Sequence, residues 1–96
     1  MKILVINGPN LNMLGKREPH IYGNATLDDL ISFIKDTFRE NFEIEFFQSN
    51  HEGEIIDKLH EASDIFDGVV INPGAFSHYS YAIYDAIKSI NINCVE

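Results

Sequence analysis

Ile3-Leu4-Val5-Ile6-Asn7-Gly8-Pro9 is the stretch that decides the fold class. Four consecutive aliphatic side chains ending at a Gly-Pro stop predict a short strand buried on both faces, as in a parallel sheet. Gly68-Val69-Val70-Ile71-Asn72-Pro73-Gly74 has the same build, with the proline and glycine exchanged. Between and after these strands the apolar spacing changes from continuous to helical.

The first helix is expected to begin near Thr26, with Leu27, Leu30, Ile31, Ile34 and Phe38 on one face and Asp28 and Asp29 at the positive end of its dipole. Glu43 to Gln48 reads as a second strand centred on Ile44, Phe46 and Phe47. Ser49-Asn50-His51-Glu52 then has the form of a capping box, opening a helix that presents Ile55, Ile56, Leu59 and Ala62. Tyr79, Ala82, Ile83, Ala86 and Ile87 mark a third helix, and Ile92 to Val95 a fourth strand. The pattern is βαβαβαβ, an α/β chain with a parallel sheet and right-handed crossovers. In such sheets ligands bind beyond the carboxyl ends of the strands. Gly8 to Gly23, Gln48 to Glu52 and Asn72 to His78 should therefore meet. A terminal strand with nothing after it leaves an open edge, which parallel sheets normally cover.

Bulk properties narrow the function. Ninety-six residues suffice for one domain. A formal net charge of −8 argues against a nucleic-acid partner, which needs clustered Lys and Arg. The apolar runs are strand-length, far below the roughly 20 residues of a membrane span, and the N-terminus has no signal-peptide form. Cys94 is the single cysteine and reads as a buried, inert thiol. The simplest expectation is a cytosolic protein.

Several site chemistries fail on spacing. Six residues separate Gly8 from Gly15 and Arg17 follows Lys16, so no phosphate loop is formed; there is no Gly-x-Gly-x-x-Gly either. His51 and His60 do not share a helix face, and no His-Glu-x-x-His occurs, which disfavours a metal. What remains is a loop of about seventeen residues, Gly8 to Asn24, longer than usual between strand and helix. It offers Asn10, Asn12, Arg17 and Tyr22, facing Asn72, Gly74 and His78. Amides, a guanidinium, a phenol and an imidazole suit a polyhydroxylated anion and acid–base chemistry without a cofactor. Taken singly, the same residues have plainer readings. Tyr22 and Arg17 suit an exposed loop, Asn10 and Asn12 a turn, His78 a cap, Asp85 a solvated helix face, and His51 a structural position.

Three blocks then become specific. Ile6-Asn7-Gly8-Pro9-Asn10-Leu11-Asn12-x-Leu14-Gly15-x-Arg17-Glu18-Pro19-x-x-Tyr22-Gly23 resembles the first signature of type II 3-dehydroquinate dehydratases. Phe47-Gln48-Ser49-Asn50-His51-Glu52-Gly53-Glu54 resembles the second, and Asn72-Pro73-Gly74-Ala75-Phe76-Ser77-His78 the third. The resemblance runs in register over the whole chain. It implies a flavodoxin-like fold, assembly as a dodecamer of trimers, and elimination of water from 3-dehydroquinate to give 3-dehydroshikimate through an enolate, in the shikimate pathway or quinate breakdown, with no metal or other cofactor. It implies Tyr22 as the base, Arg17 as its activator and Asn10 as holder of the water beside the enolate oxygen. Asn72 and His78 would grip substrate oxygens, Gly74 would allow close backbone approach, and Asp85 would enter a neighbouring subunit's site.

Family members continue for about another third of their length. A His-x-Ser segment just after the position of Glu96 supplies their general acid, and Glu96 resembles the carboxylate that orients it. The expectation is therefore a single incomplete domain over residues 1–96, lacking the last strand and covering helices, and weakly active. The alternatives are a non-catalytic binding or assembly module of the same fold, or an unrelated binder.

Overall fold

A computed structural model describes residues 1–13, 26–74 and 80–96. Four parallel strands form one sheet in the order β2-β1-β3-β4: β1 (Lys2–Asn7), β2 (Glu43–Gln48), β3 (Gly68–Asn72) and β4 (Asn93–Val95). Three helices alternate with them: α1 (Leu27–Phe38), α2 (Glu52–Ile65) and α3 (Tyr81–Ser89). Each fills the connection that a parallel pair requires. This is the flavodoxin-like order, with the two central strands carrying the apolar runs quoted above.

Side chains alternate across a strand, and here the two faces are covered unequally. Leu4 and Ile6 of β1 and Val69 and Ile71 of β3 point to one face. There they meet Ile55, Leu59 and Ala62 of α2 and Ile83 and Ala86 of α3, with Phe66 closing the cluster, and all of these are buried. Ile3, Val5 and Val70 point the other way and line an apolar groove of about 390 Å3 with Ile44, Phe42 and the α1 residues Ile34 and Phe38. The expectation of a β1 buried on both faces is thus met on one face only: Ile3 and Val5 are half-buried and Val70 is 44% exposed. The reason lies in α1. None of its residues is buried, and Phe33 is 67% exposed.

The local signals at α1 are nonetheless strong. Thr26 Oγ1 accepts the Asp29 amide at 3.1 Å, and Asp29 Oδ2 accepts the Thr26 amide at 3.0 Å, a reciprocal capping box. Thr26→Ala leaves the Asp29 amide without its acceptor and should lower stability by about 1 kcal/mol, read from the midpoint of urea unfolding. An unchanged midpoint would mean that α1 contributes nothing to the cooperative transition.

The capping box anticipated at Ser49-Asn50-His51-Glu52 does not form. The α2 N-cap is His51, with no side-chain cap, because Ser49 still follows the line of β2 and its amide bonds the Asn7 carbonyl at 3.0 Å. Ser49 Oγ instead accepts the His51 amide at 2.9 Å and donates to Glu54 Oε1 at 2.5 Å. The third helix starts two residues later than its apolar stripe suggested, at Tyr81 with Ser80 as N-cap; Tyr79 lies outside the described residues. The fourth strand begins at Asn93 rather than Ile92.

Candidate active site

Strand register builds the site. Asn7 is abreast of Gln48 on one side and of Asn72 on the other, so three strands end level at their carboxyl ends. Each ends in a carboxamide, and the turns that follow add more.

The turns after β1 and β3 interlock through backbone. The Gly8 amide donates to the Asn72 carbonyl at 2.7 Å, and Gly8 lies so close to Pro73 that a Cβ there would be 2.6 Å from the Pro73 carbonyl carbon. Reciprocally, Gly74 packs on Pro9, at φ +60°, where its own Cβ would come within 3.1 Å of the Pro9 carbonyl oxygen. Gly-Pro on one strand therefore meets Pro-Gly on its neighbour; at Gly8 only a hydrogen fits, and at Gly74 a side chain would be both crowded and strained by the positive φ. The Asn72 side chain tightens its own turn, its Oδ1 accepting the Gly74 amide at 3.2 Å. That leaves the Asn72 –NH2 as the group presented outward, with no partner among the described residues.

Asn10 follows in a left-handed conformation, φ 69°, which asparagine tolerates better than most residues. Its amide donates to Asn50 Oδ1 at 2.9 Å, and the 3-10 turn Leu11–Met13 continues from it. Gln48 bridges the turns after β1 and β2. Its Nε2 lies 3.1 Å from the Gly8 carbonyl, 3.2 Å from Asn50 Oδ1 and 3.5 Å from Asn12 Oδ1. A 240 Å3 cleft opens beside Asn12, against Thr26, Leu27 and Asp28 at the start of α1.

Of the anticipated site residues, Asn10, Asn72 and Gly74 are brought together. Arg17, Tyr22 and His78 lie outside the described residues. Asp85 is exposed on α3, away from this cluster of amides. Glu96 follows β4, whose register sets Val95 abreast of Val70, so Glu96 reaches the sheet edge one step before Asn72. It accepts the Tyr84 hydroxyl at 3.0 Å, and this bond to a carboxylate, with some burial, raises the Tyr84 pKa above that of an ordinary phenol. Cys94 is half-buried rather than buried, packed against the core on a short edge strand, and burial, with the nearby Glu96 charge second, pushes its thiol pKa up.

Gln48 and Asn50 were not singled out from sequence, although both sit in the second quoted block; only the strand register and their hydrogen bonds reveal that they tie the β1 turn to the end of β2. The described cluster thus consists of Asn10, Asn12, Gln48, Asn50 and Asn72. Carboxamides donate and accept hydrogen bonds but do not titrate, so they can orient a polyol and cannot move protons. The apolar groove under α1 is larger but offers nothing to orient one. Among the described residues no group of three His, Cys, Asp or Glu side chains could hold a metal. Among the described residues no helix is long and apolar enough to cross a membrane.

The sequence profile of the family described as dehydroquinase class II matches residues 1–96. The 3-dehydroquinate dehydratase of Thermotoga neapolitana is 62% identical over an alignment of 97 residues, which takes in 100% of this chain and 66% of that protein. That of Bacillus pumilus is 61% identical over 94 residues, 97% of this chain and 64% of its own length. The crystal structure of a type II dehydroquinase from Butyrivibrio crossotus superposes with a TM-score of 0.92 at 57% identity, over 98% of this chain and 67% of that one. The chain spans about 66% of the length of the Thermotoga relatives it matches. With the whole of its length matched, the chain belongs to the class II dehydroquinase family.

Proposed function

We propose that these residues serve the dehydration of 3-dehydroquinate to 3-dehydroshikimate, as a lyase of the shikimate pathway acting without metal or cofactor. The convergence of carboxamides from three strand ends, in a chain of this family, carries the reading: a ring with several hydroxyls and a carbonyl needs many donors and acceptors fixed in direction.

Tyr22, as phenolate beside Arg17, takes the proton α to the carbonyl; the electron pair moves to the carbonyl oxygen, giving an enolate. Asn10 holds the water that donates to that oxygen. As the enolate collapses, the C–O bond to the departing hydroxyl breaks and a proton delivered to it makes water, leaving the conjugated enone. Asn72 and His78 hold substrate oxygens, and Gly74 lets the backbone approach. Asp85 reaches the site of a neighbouring subunit in a dodecamer of trimers, and Glu96 orients the histidine that acts as acid. The reading includes a cytoplasmic location.

The test compares two chains: these 96 residues alone, and the same residues followed by the C-terminal third of the Thermotoga neapolitana relative. Both should bind 3-dehydroquinate in a calorimetric titration. The extended chain should also generate the near-ultraviolet absorbance of the conjugated product. Binding by both without turnover by either would favour a non-catalytic binding module, and binding by neither would sink the substrate assignment.

A further inference from the structure

Among the described residues Asn10 is the one non-glycine position with a positive φ, and it is held from outside its own turn. Left-handed backbone crowds the Cβ against the following carbonyl oxygen, so it persists where the surroundings fix it. Two bonds do so at Asn10. Its carbonyl accepts the Met13 amide at 2.9 Å, closing the 3-10 turn Leu11–Met13. Its own amide donates to Asn50 Oδ1 at 2.9 Å, across 40 residues of sequence.

Asn50 is exposed, and an exposed carboxamide is free to turn unless something orients it. Here Oδ1 also accepts from Gln48 Nε2 at 3.2 Å. Two donors on one oxygen use both its lone pairs and decide which way the amide faces. Gln48 is constrained in turn. Its Nε2 has two protons, and the two shortest contacts are the Gly8 carbonyl at 3.1 Å and Asn50 Oδ1, with Asn12 Oδ1 further off at 3.5 Å. Gln48 is the last residue of β2, paired with Asn7 of β1. A relay of carboxamides therefore runs from the paired strands through Gln48 to Asn50, and from Asn50 to the backbone of Asn10.

We infer that Asn50 is a positioning residue for Asn10: by holding the Asn10 amide it keeps the left-handed backbone from which the Asn10 side chain serves the ligand. The inference rests on the 3-dehydroquinate reading for its ligand and for the role of Asn10, but not for its geometry. Without the Asn50 oxygen, the Asn10 backbone can relax toward negative φ. The binding-competent form is then a fraction of the population, and apparent affinity falls by that fraction.

The experiment measures 3-dehydroquinate affinity and amide chemical shifts for the 96-residue chain and its Asn50→Ala, Asn50→Asp, Asn10→Gly and Asn10→Gly/Asn50→Ala variants. Asn50→Asp keeps an oxygen that accepts from both donors. Titration at about 0.5 M salt screens its added charge beyond roughly 4 Å. Asn10→Gly removes the side chain and adopts positive φ without strain. Asn50→Ala should weaken binding about tenfold, the scale of one lost hydrogen bond, and Asn50→Asp should stay within about threefold. The double variant should bind as Asn10→Gly does, because Asn50 acts through the side chain already removed. Unchanged affinity in Asn50→Ala overturns the inference, as does equal loss in Asn50→Asp. Additive losses overturn it too, since they would make Asn50 a group that meets the ligand itself. If the parent chain does not bind 3-dehydroquinate, the substrate reading fails, and the Met13 amide and the Asn10 side-chain amide decide the inference. Shifts moved by Asn50→Ala and restored by Asn50→Asp support it; shifts unmoved by Asn50→Ala, or moved as far by Asn50→Asp, overturn it.

Discussion

Alanine at Gly8 is expected to lower stability by about 3 kcal/mol and, on the substrate proposed above, to abolish 3-dehydroquinate binding, the added methyl group acting as overpacking and the strained turn contact as a lost hydrogen bond. The methyl carbon would stand 2.6 Å from the Pro73 carbonyl carbon and 3.1 Å from the Asn72 carbonyl oxygen. Contacts between carbons are favourable only near 3.5–4.0 Å, roughly, so something has to move. Nothing there is flexible. The obstructing atoms are backbone, and Pro73 is fixed between Asn72 and Gly74, which itself packs on Pro9. Separating the turns breaks the 2.7 Å bond from the Gly8 amide to the Asn72 carbonyl and draws Gln48 off the Gly8 carbonyl. Gly53→Ala is the control, because a Cβ there meets nothing within 4 Å. In a helix that exchange should raise stability by up to about 1 kcal/mol. Urea midpoints and ligand titration read both variants. A Gly8→Ala chain with the parent's midpoint and affinity would show that the two turns are not interlocked.

Tyr22→Phe, in the chain extended with the relative's C-terminal third, should lower kcat by about 10²–10⁴ while leaving substrate binding nearly intact, on the roles proposed above. The ring is kept and only the proton acceptor goes. A phenol of pKa about 10 is roughly 0.1% ionised at pH 7, a deficit of about 4 kcal/mol. A guanidinium nearby favours the phenolate and lowers that pKa by about 1–3 units. The sign fixes the pH dependence: the base is competent above its pKa, so activity rises with pH through the depressed value. Arg17→Ala should move that rise to higher pH, making the variant slow at neutrality and progressively less so in alkali. Retention of turnover by Tyr22→Phe would assign the proton abstraction to another group.

How far the sequence could be read depended on whether the deciding partner was near in sequence. β1 and β3 were legible because continuous aliphatic runs ended by Gly-Pro and Pro-Gly leave few alternatives. The start of α1 near Thr26 was legible from apolar spacing and from Asp28 and Asp29 at its positive end, and the Thr26–Asp29 box, not read from sequence, is a local device of the same turn. Ser49-x-x-Glu52 looked equally local and was not. Parallel pairing carries Ser49 on with β2, and Glu52 is claimed by Ser80. Helical spacing on α1 foretold an apolar face, but spacing cannot tell a half-covered stripe from a buried one. At the site, Asn10, Asn72 and Gly74 stood out beside their glycines and prolines, whereas Gln48 and Asn50 read as ordinary polar residues until register brought them level with Asn7 and Asn72. The roles of Tyr22, Arg17 and His78 come from the resemblance.

The uneven covering of the sheet also grades the stability of the molecule. α2 cannot leave without uncovering Leu4, Ile6, Val69 and Ile71 together, so its amides should exchange only when the whole domain opens. α1 buries no residue and rests on the sheet through the rim formed by Ile34 and Phe38. Its detachment forfeits little burial and falls at the cheap end of sub-global openings, well below the free energy of complete unfolding.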